Sequence, residues 1–194
     1  MDQDESTVWI EWTGPYSWPG FESENNLHPV PKHPGIYLMA AEYGDGYLLY
    51  AAGLSRRPIP TRFREHTRKY MSGDYTVLDI TALQQGIRKE IWHGWGWTEE
   101  KRRNFQNRKE AILDAARKQL IGFRLFTAEV PERPRLLERL EASIMDHLYR
   151  QPAPLCDVPD KGMMLAPRWD SEKPVTIRNR CAVKLHGLPD AQEI

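Results

Sequence analysis

Four side chains early in the chain have the types and spacing for phosphate chemistry: Tyr37, Tyr50, Arg62 and His66. Cleaving a phosphate ester needs a group that moves a proton and a cation that answers the charge developing on oxygen. Tyrosine and histidine suit the first task, and the planar donor fork of arginine suits the second. Arg62 and His66 stand four apart, which on a helix places them on one face. A fifth group enters from far along the chain. Over residues 134–150, at about 100° per residue, Leu136, Leu137, Leu140, Ile144, Met145 and Leu148 form one apolar arc, and Glu141 falls inside it. Glu138 and Asp146 lie outside. A carboxylate on the core side is costly to desolvate unless it is paired, for instance with Arg62, or bound to a metal ion.

Local pattern supplies elements to position these groups. Residues 35–41 and 47–52 read as two apolar strands joined by the tight turn Gly44-Asp45-Gly46. Pro58 and Pro60 hold the next connection extended, and residues 61–70 are expected to form a helix with Thr61 as its N-cap. A third strand is expected over 75–80, a short helix capped by Thr81, a long polar helix over 98–119 and a further strand over 123–130. Residues 134–150 form the helix that carries Glu141. Upstream, residues 1–33 are acidic and aromatic, and the alternation of Val8, Ile10 and Trp12 fits a short strand added to a sheet edge. Downstream, residues 151–194 are proline-rich and read as an irregular tail, with 175–177 or 182–185 as an added strand. In Glu90-Ile91-Trp92-His93-Gly94-Trp95-Gly96-Trp97, three tryptophans alternate with two glycines. Such a loop either pins itself to the domain or exposes a ring that stacks on bases.

The 194 residues are 40% apolar and 28% charged, which fits one soluble domain with extensions. No apolar run reaches the roughly 20 residues of a membrane helix, and Met1-Asp2-Gln3-Asp4-Glu5 lacks the basic and apolar parts of a signal peptide, so a cytoplasmic protein is expected. Cys156 and Cys181 read as free thiols, and with His147 and His186 they lack the paired spacing of a zinc site. The net charge is zero but unevenly spread. Residues 1–28 carry six acidic side chains and no Lys or Arg, a net of −6, whereas residues 54–70 carry six basic side chains against Glu65, a net of +5. The positive field sits on the candidate chemistry, where it attracts a polyanion.

In this arrangement the sequence resembles the GIY-YIG nuclease superfamily. Its first motif stands as Gly35-Ile36-Tyr37 and its second, in altered form, as Tyr50-Ala51-Ala52-Gly53-Leu54-Ser55. Arg62 and His66 follow, then Glu141 on a later helix, and the resemblance covers roughly residues 34–150. Tyr50 and Gly53 are three apart rather than the family's two. Either a bulge at Ala51–Ala52 restores the geometry, or Tyr50 points elsewhere. No asparagine follows the glutamate helix as it often does in the family. The resemblance implies an α+β fold, a small, mainly antiparallel central sheet of three or more strands flanked by helices, with a basic insertion around 81–120. It also implies a metal-dependent endonuclease acting on DNA. Glu141 would hold Mg²⁺ or Mn²⁺, Tyr37 would relay the proton of the attacking water, Tyr50 would position that water, Arg62 would stabilise the phosphate and His66 would orient or deprotonate its neighbour. Arg56, Arg57, Arg64, Arg68 and Lys69 would contact the phosphate backbone. A nucleic-acid-binding module that has lost catalysis, and a protein-interaction module using the acidic arm and the Trp-Gly loop, are the competing readings.

Overall fold

The computed structural model describes residues 7–194; residues 1–6, with three of the acidic side chains of the expected arm, lie outside the described residues. In chain order the elements are β1 (Thr7–Tyr16), α1 (Glu22–Asn25), β2 (Gly35–Tyr43), β3 (Gly46–Ser55), α2 (Ile59–Met71), β4 (Val77–Leu78), α3 (Ile80–Leu83), β5 (Glu90–Trp92), α4 (Glu99–Asn107), α5 (Lys109–Gly122), β6 (Phe123–Ala128), α6 (Leu136–Arg150), β7 (Thr176–Cys181), β8 (Leu185–His186) and β9 (Ala191–Glu193). The α+β class holds. The sheet is larger than expected: seven strands in the order β8-β3-β2-β6-β1-β7-β9, antiparallel at its centre and parallel where β1 meets β7 and β3 meets β8.

The expected hairpin is present as β2 and β3, and Gly44, at φ +55°, takes the left-handed conformation its turn requires. β1 alternates as read, with Val8, Ile10 and Trp12 buried, but it lies between β6 and β7 rather than at an edge. It pairs antiparallel with β6 and parallel with β7, so the N-terminal segment and the tail are parts of the sheet and not loose wrappings. The expected third strand does not join this sheet. Only Val77 and Leu78 are extended, and they pair with β5 in a separate two-stranded ribbon. The long polar helix is two helices that meet at Arg108, with Thr98 capping the first by accepting from the Lys101 amide. Two expected caps fail. α2 begins two residues before Thr61, with Pro60 in its first turn, and the side chain that caps α3 is Asp79 rather than Thr81. No described helix is long and apolar enough to cross a membrane.

What matters for the site is how α2 and α6 are fixed. On α2, Ile59, Phe63, His66 and Tyr70 are buried along one stripe. Phe63 sits between Trp18 and Tyr37, with ring centroids 4.7 and 4.8 Å away, and truncating such a ring to alanine costs about 3–5 kcal/mol. Trp18 Nε1 donates to Thr67 Oγ1 at 2.8 Å, so the segment after β1 locks the helix onto the sheet. On α6, Leu136, Leu140, Ile144, Met145 and Leu148 are buried, and the Ala52 amide of β3 approaches Met145 Sδ at 3.1 Å. The helix therefore crosses β3 with Glu141 turned toward the same end of the hairpin as Tyr37.

Candidate active site

One cavity of about 340 Å³ gathers all five expected catalytic residues, Tyr37, Tyr50, Arg62, His66 and Glu141. They come from β2, β3, α2 and α6. Registry explains the convergence: Tyr37 pairs with Gly53 and Met39 with Ala51, but Ala40 pairs with Leu49, so Tyr50 is the extra residue of a β-bulge. The bulge stands one residue before the expected Ala51–Ala52. It brings Tyr50 and Gly53 to the same cavity despite their spacing of three. Gly53 is required beneath the tyrosine, because a Cβ there would lie 2.3 Å from the Tyr37 hydroxyl oxygen.

Tyr37 is buried and its hydroxyl lies 2.9 Å from His66 Nε2. The other ring nitrogen, Nδ1, lies 3.2 Å from the Tyr75 hydroxyl. Burial, reinforced by the nearby Arg62 charge, pushes the His66 pKa down to about 4, so the ring is neutral at physiological pH. A neutral imidazole that accepts from Tyr37 at Nε2 carries its proton at Nδ1 and donates it to Tyr75. The Tyr37 hydroxyl lies near the Arg62 charge, which favours the phenolate, yet its pKa moves the other way. Burial raises it to about 12, and Arg62 offsets only part of that. Tyr37 therefore holds its proton at rest, with His66 Nε2 beside it as the acceptor.

Arg62 pairs with Glu65 at 3.3 Å, not with Glu141. Its Nε is sealed inside the protein on the side of Tyr37, with which the guanidinium interacts, and the rest of the fork is partly open to the cavity. Burial works against its charge, yet Tyr37 and Glu65 hold its pKa above the ordinary arginine value. Glu141 forms no ion pair among the described residues. Desolvation drives its pKa to about 7, against the opposing pull of the Leu54 amide and Arg62. This carboxyl at the cavity wall is only partly compensated, by the Leu54 amide and the Arg62 charge.

Tyr50 differs from its expected part. Its buried hydroxyl donates to Asp160 Oδ2 at 2.7 Å, which leaves it committed to the floor rather than free to position water. Asp160 also accepts from Arg88 at 2.6 Å, and its carbonyl accepts from Tyr149 at 2.8 Å. Sequence reading did not single out Asp160, Tyr75 or Tyr70, all of which line the cavity. The first belongs to the irregular tail, where no periodicity marks it. Among the expected phosphate contacts, Arg56 is bonded to Glu138, Arg57 to Glu65 at 2.9 Å and Lys69 to Asp74 at 2.9 Å, while Arg64 and Arg68 are exposed. Paired cations attract a polyanion less than the charge count implied.

No protein-family model, curated protein or solved structure matches the chain. The chemistry of the cavity therefore rests on its own residues.

Proposed function

We propose that the protein is a metal-dependent endonuclease of the GIY-YIG kind that hydrolyses phosphodiester bonds in DNA. The observation that carries this reading is the meeting of Tyr37, Arg62, His66 and Glu141, from residues 37 to 141, in one cavity beside the hairpin. Phosphoryl transfer requires little covalent work from a protein and much positioning and charge, which is what these groups offer. Tyr37 takes the proton of the attacking water as its own passes to His66 Nε2, 2.9 Å away, and Tyr75 accepts from Nδ1 and holds the imidazole in place. Arg62 supports the phosphate oxygens with the part of its guanidinium that is open to the cavity.

The donor set fits a hard divalent cation. Mg²⁺ or Mn²⁺ binds through one or two carboxylates while keeping several waters, and Glu141 offers one half-buried carboxylate that lacks a cation among the described residues. Among those residues no group of three or more His, Cys, Asp or Glu could form a closed metal cage. When bound, the ion would polarise the phosphate and neutralise charge on the leaving oxygen. The remaining work falls to the protein, whose apolar walls around Met39, Ala51 and Ala52 limit competing water.

Supercoiled plasmid incubated with purified protein tests the proposal. Nicking with Mg²⁺ that stops with chelator is expected; no Mg²⁺-dependent nicking of plasmid, single-stranded DNA or RNA overturns it. A binding module without catalysis is the second reading, favoured by the Tyr50 hydroxyl being held by Asp160.

A further inference from the structure

Trp95 is one of four exposed tryptophans, with Trp9, Trp97 and Trp169, and it is the one that lines the cavity holding Tyr37 and Glu141. It is 55% exposed. Its backbone stands at φ +29°, a conformation that L-residues with side chains adopt at a cost and keep only where their surroundings enforce it. The enforcement is visible. The Trp95 amide donates to Asp74 O at 3.1 Å, Lys101 Nζ donates to the Trp95 carbonyl at 2.8 Å and also bonds the Gly94 carbonyl, and the Gly94 amide donates to Thr76 Oγ1 at 3.2 Å. Gly94 touches the 74–76 backbone so closely that a Cβ would meet Tyr75 C at 2.4 Å. On either side, Trp92 Nε1 donates to Gly73 O and Trp97 Nε1 to Asp74 Oδ1, both at 2.8 Å. Two tryptophans pin the loop, and the third is held out.

The exposed ring lies next to the chemistry. Trp95 and Tyr75 have centroids 5.6 Å apart at 33°, and Tyr75 and His66 have centroids 5.6 Å apart at 42°. A ladder of three rings thus runs from His66 to the surface. Met163 and Met164 line the same cavity, and Met164 is fully exposed, an adaptable apolar side chain with nothing to bury it. Meanwhile three of the five cations expected to meet a phosphate backbone, Arg56, Arg57 and Lys69, are bonded to Glu138, Glu65 and Asp74, which leaves Arg64 and Arg68.

We infer that Trp95, with Met163 and Met164, holds an unpaired nucleobase beside the scissile phosphate, so that the substrate is a single strand. The inference rests on the phosphodiesterase reading for the word substrate, but base-holding itself does not require cleavage. Stacking suits a weakly charged rim, because each aromatic face contributes affinity independent of phosphate contacts and of base identity. A ring fixed before binding also loses little conformational freedom when the base arrives.

The test uses the full protein in chelator, with a short DNA strand carrying 2-aminopurine, free or annealed to its complement. The wild type is expected to quench the probe and to prefer the single strand. Trp95→Ala should weaken single-strand binding about 5- to 150-fold, and Trp95→Phe should keep most of it. Met164→Glu, at a fully exposed position where the fold is indifferent, should also weaken binding by placing a carboxylate on the base site. Preference for the duplex, or single-strand affinity and quenching unchanged in both Trp95→Ala and Met164→Glu, overturns the inference. So does an absence of nucleic-acid binding. Magnesium-dependent cleavage without any Trp95 effect overturns base-holding alone, whereas Trp95-dependent quenching without cleavage supports base-holding and removes only the hydrolase reading.

Discussion

Replacing Glu141 with glutamine separates a metal ligand from a structural ion pair. In the folded protein its carboxyl is raised from 4.5 to about 7 by desolvation, so the native state binds its proton more tightly than the unfolded chain. Below pH 4.5 both states are protonated and the group contributes nothing. Between pH 4.5 and 7 the unfolded chain ionises first, and stability falls as pH rises. Above pH 7 the full cost remains, about 3 kcal/mol from the difference between the two values. Glu141→Gln removes that cost and keeps an oxygen for the Leu54 amide, while the new NH₂ group, facing the cavity, takes back roughly 1 kcal/mol. The variant is therefore expected to be about 2 kcal/mol more stable at pH 8 without metal, roughly 4–8 °C in Tm for a chain of this size. Mg²⁺ should raise the wild-type Tm and leave the variant's unchanged. Nicking should be lost. Thermal melts at pH 5 and pH 8, with Mg²⁺ and with chelator, run beside the plasmid assay, check each part. A variant that loses 3–5 kcal/mol without metal would show that Glu141 neutralises a buried cation instead. If it also retained Mg²⁺-dependent cleavage, the assignment would be refuted.

Three further outcomes follow from the same geometry. Gly53→Ala drives a methyl group into the buried Tyr37 ring, so it should cost about 1–3 kcal/mol and abolish cleavage by displacing the hydroxyl; a fully active variant would show that the Tyr37 position is not critical. His66 has its folded pKa lowered from 6.5 to about 4, so its contribution is intact above pH 6.5 and is lost as pH falls toward 4, because only the unfolded chain takes up the proton. In a Glu141→Gln background, which silences the opposing titration, adding His66→Gln should flatten stability against pH over that window, by about 3 kcal/mol in total; an unchanged slope measured by denaturant melts would contradict a buried neutral imidazole. Arg62→Ala should lower the single-turnover cleavage rate by 10²–10³-fold, and Arg62→Lys should not restore it, since a point charge lacks the donor fork; full activity with lysine would remove Arg62 from the chemistry.

The parts of this site that were legible in the sequence are those specified by short-range pattern. The hairpin follows from two apolar runs about one Gly-Asp-Gly turn, the Arg62–His66 face from a spacing of four, and the exposure conflict at Glu141 from the apolar arc of its helix. What was hidden depends on partners distant in sequence. The alternation in Val8–Trp12 revealed a strand but carried no sign of whether one neighbour or two would flank it, and β1 has two. Residues 75–78 have strand propensity, yet they are held by the Trp loop and by the Gln119 side chain, which accepts from the Leu78 amide at 2.9 Å, and Asp79 turns the chain into α3, so tertiary contacts and a cap prevail over propensity. The motif spacing left open whether a bulge at Ala51–Ala52 or a redirected Tyr50 would answer it, and the ladder shows a bulge one residue earlier, at Tyr50. Asp160 is in a segment with no period at all, and only the folded chain shows that it completes the floor.

The placing of β1 has a consequence for how the molecule is made. The Thr13 hydroxyl bonds the Thr127 carbonyl 114 residues ahead, and Trp12 Nε1 bonds Asn179, 167 residues ahead. At about 5–20 residues per second of synthesis, this strand waits on the order of ten to thirty seconds for its second neighbour. Throughout that interval the edge of β1 that β7 will cover is open to any passing chain, and until β6 is made both edges are. Contacts this distant also make closure slow once the chain is complete. Glu11, pointing outward between the two buried positions Ile10 and Trp12, gives the waiting strand a charge on its other face. The cleft floor, too, waits for Asp160, so both the sheet and the chemistry it carries are assembled late in the life of the nascent chain.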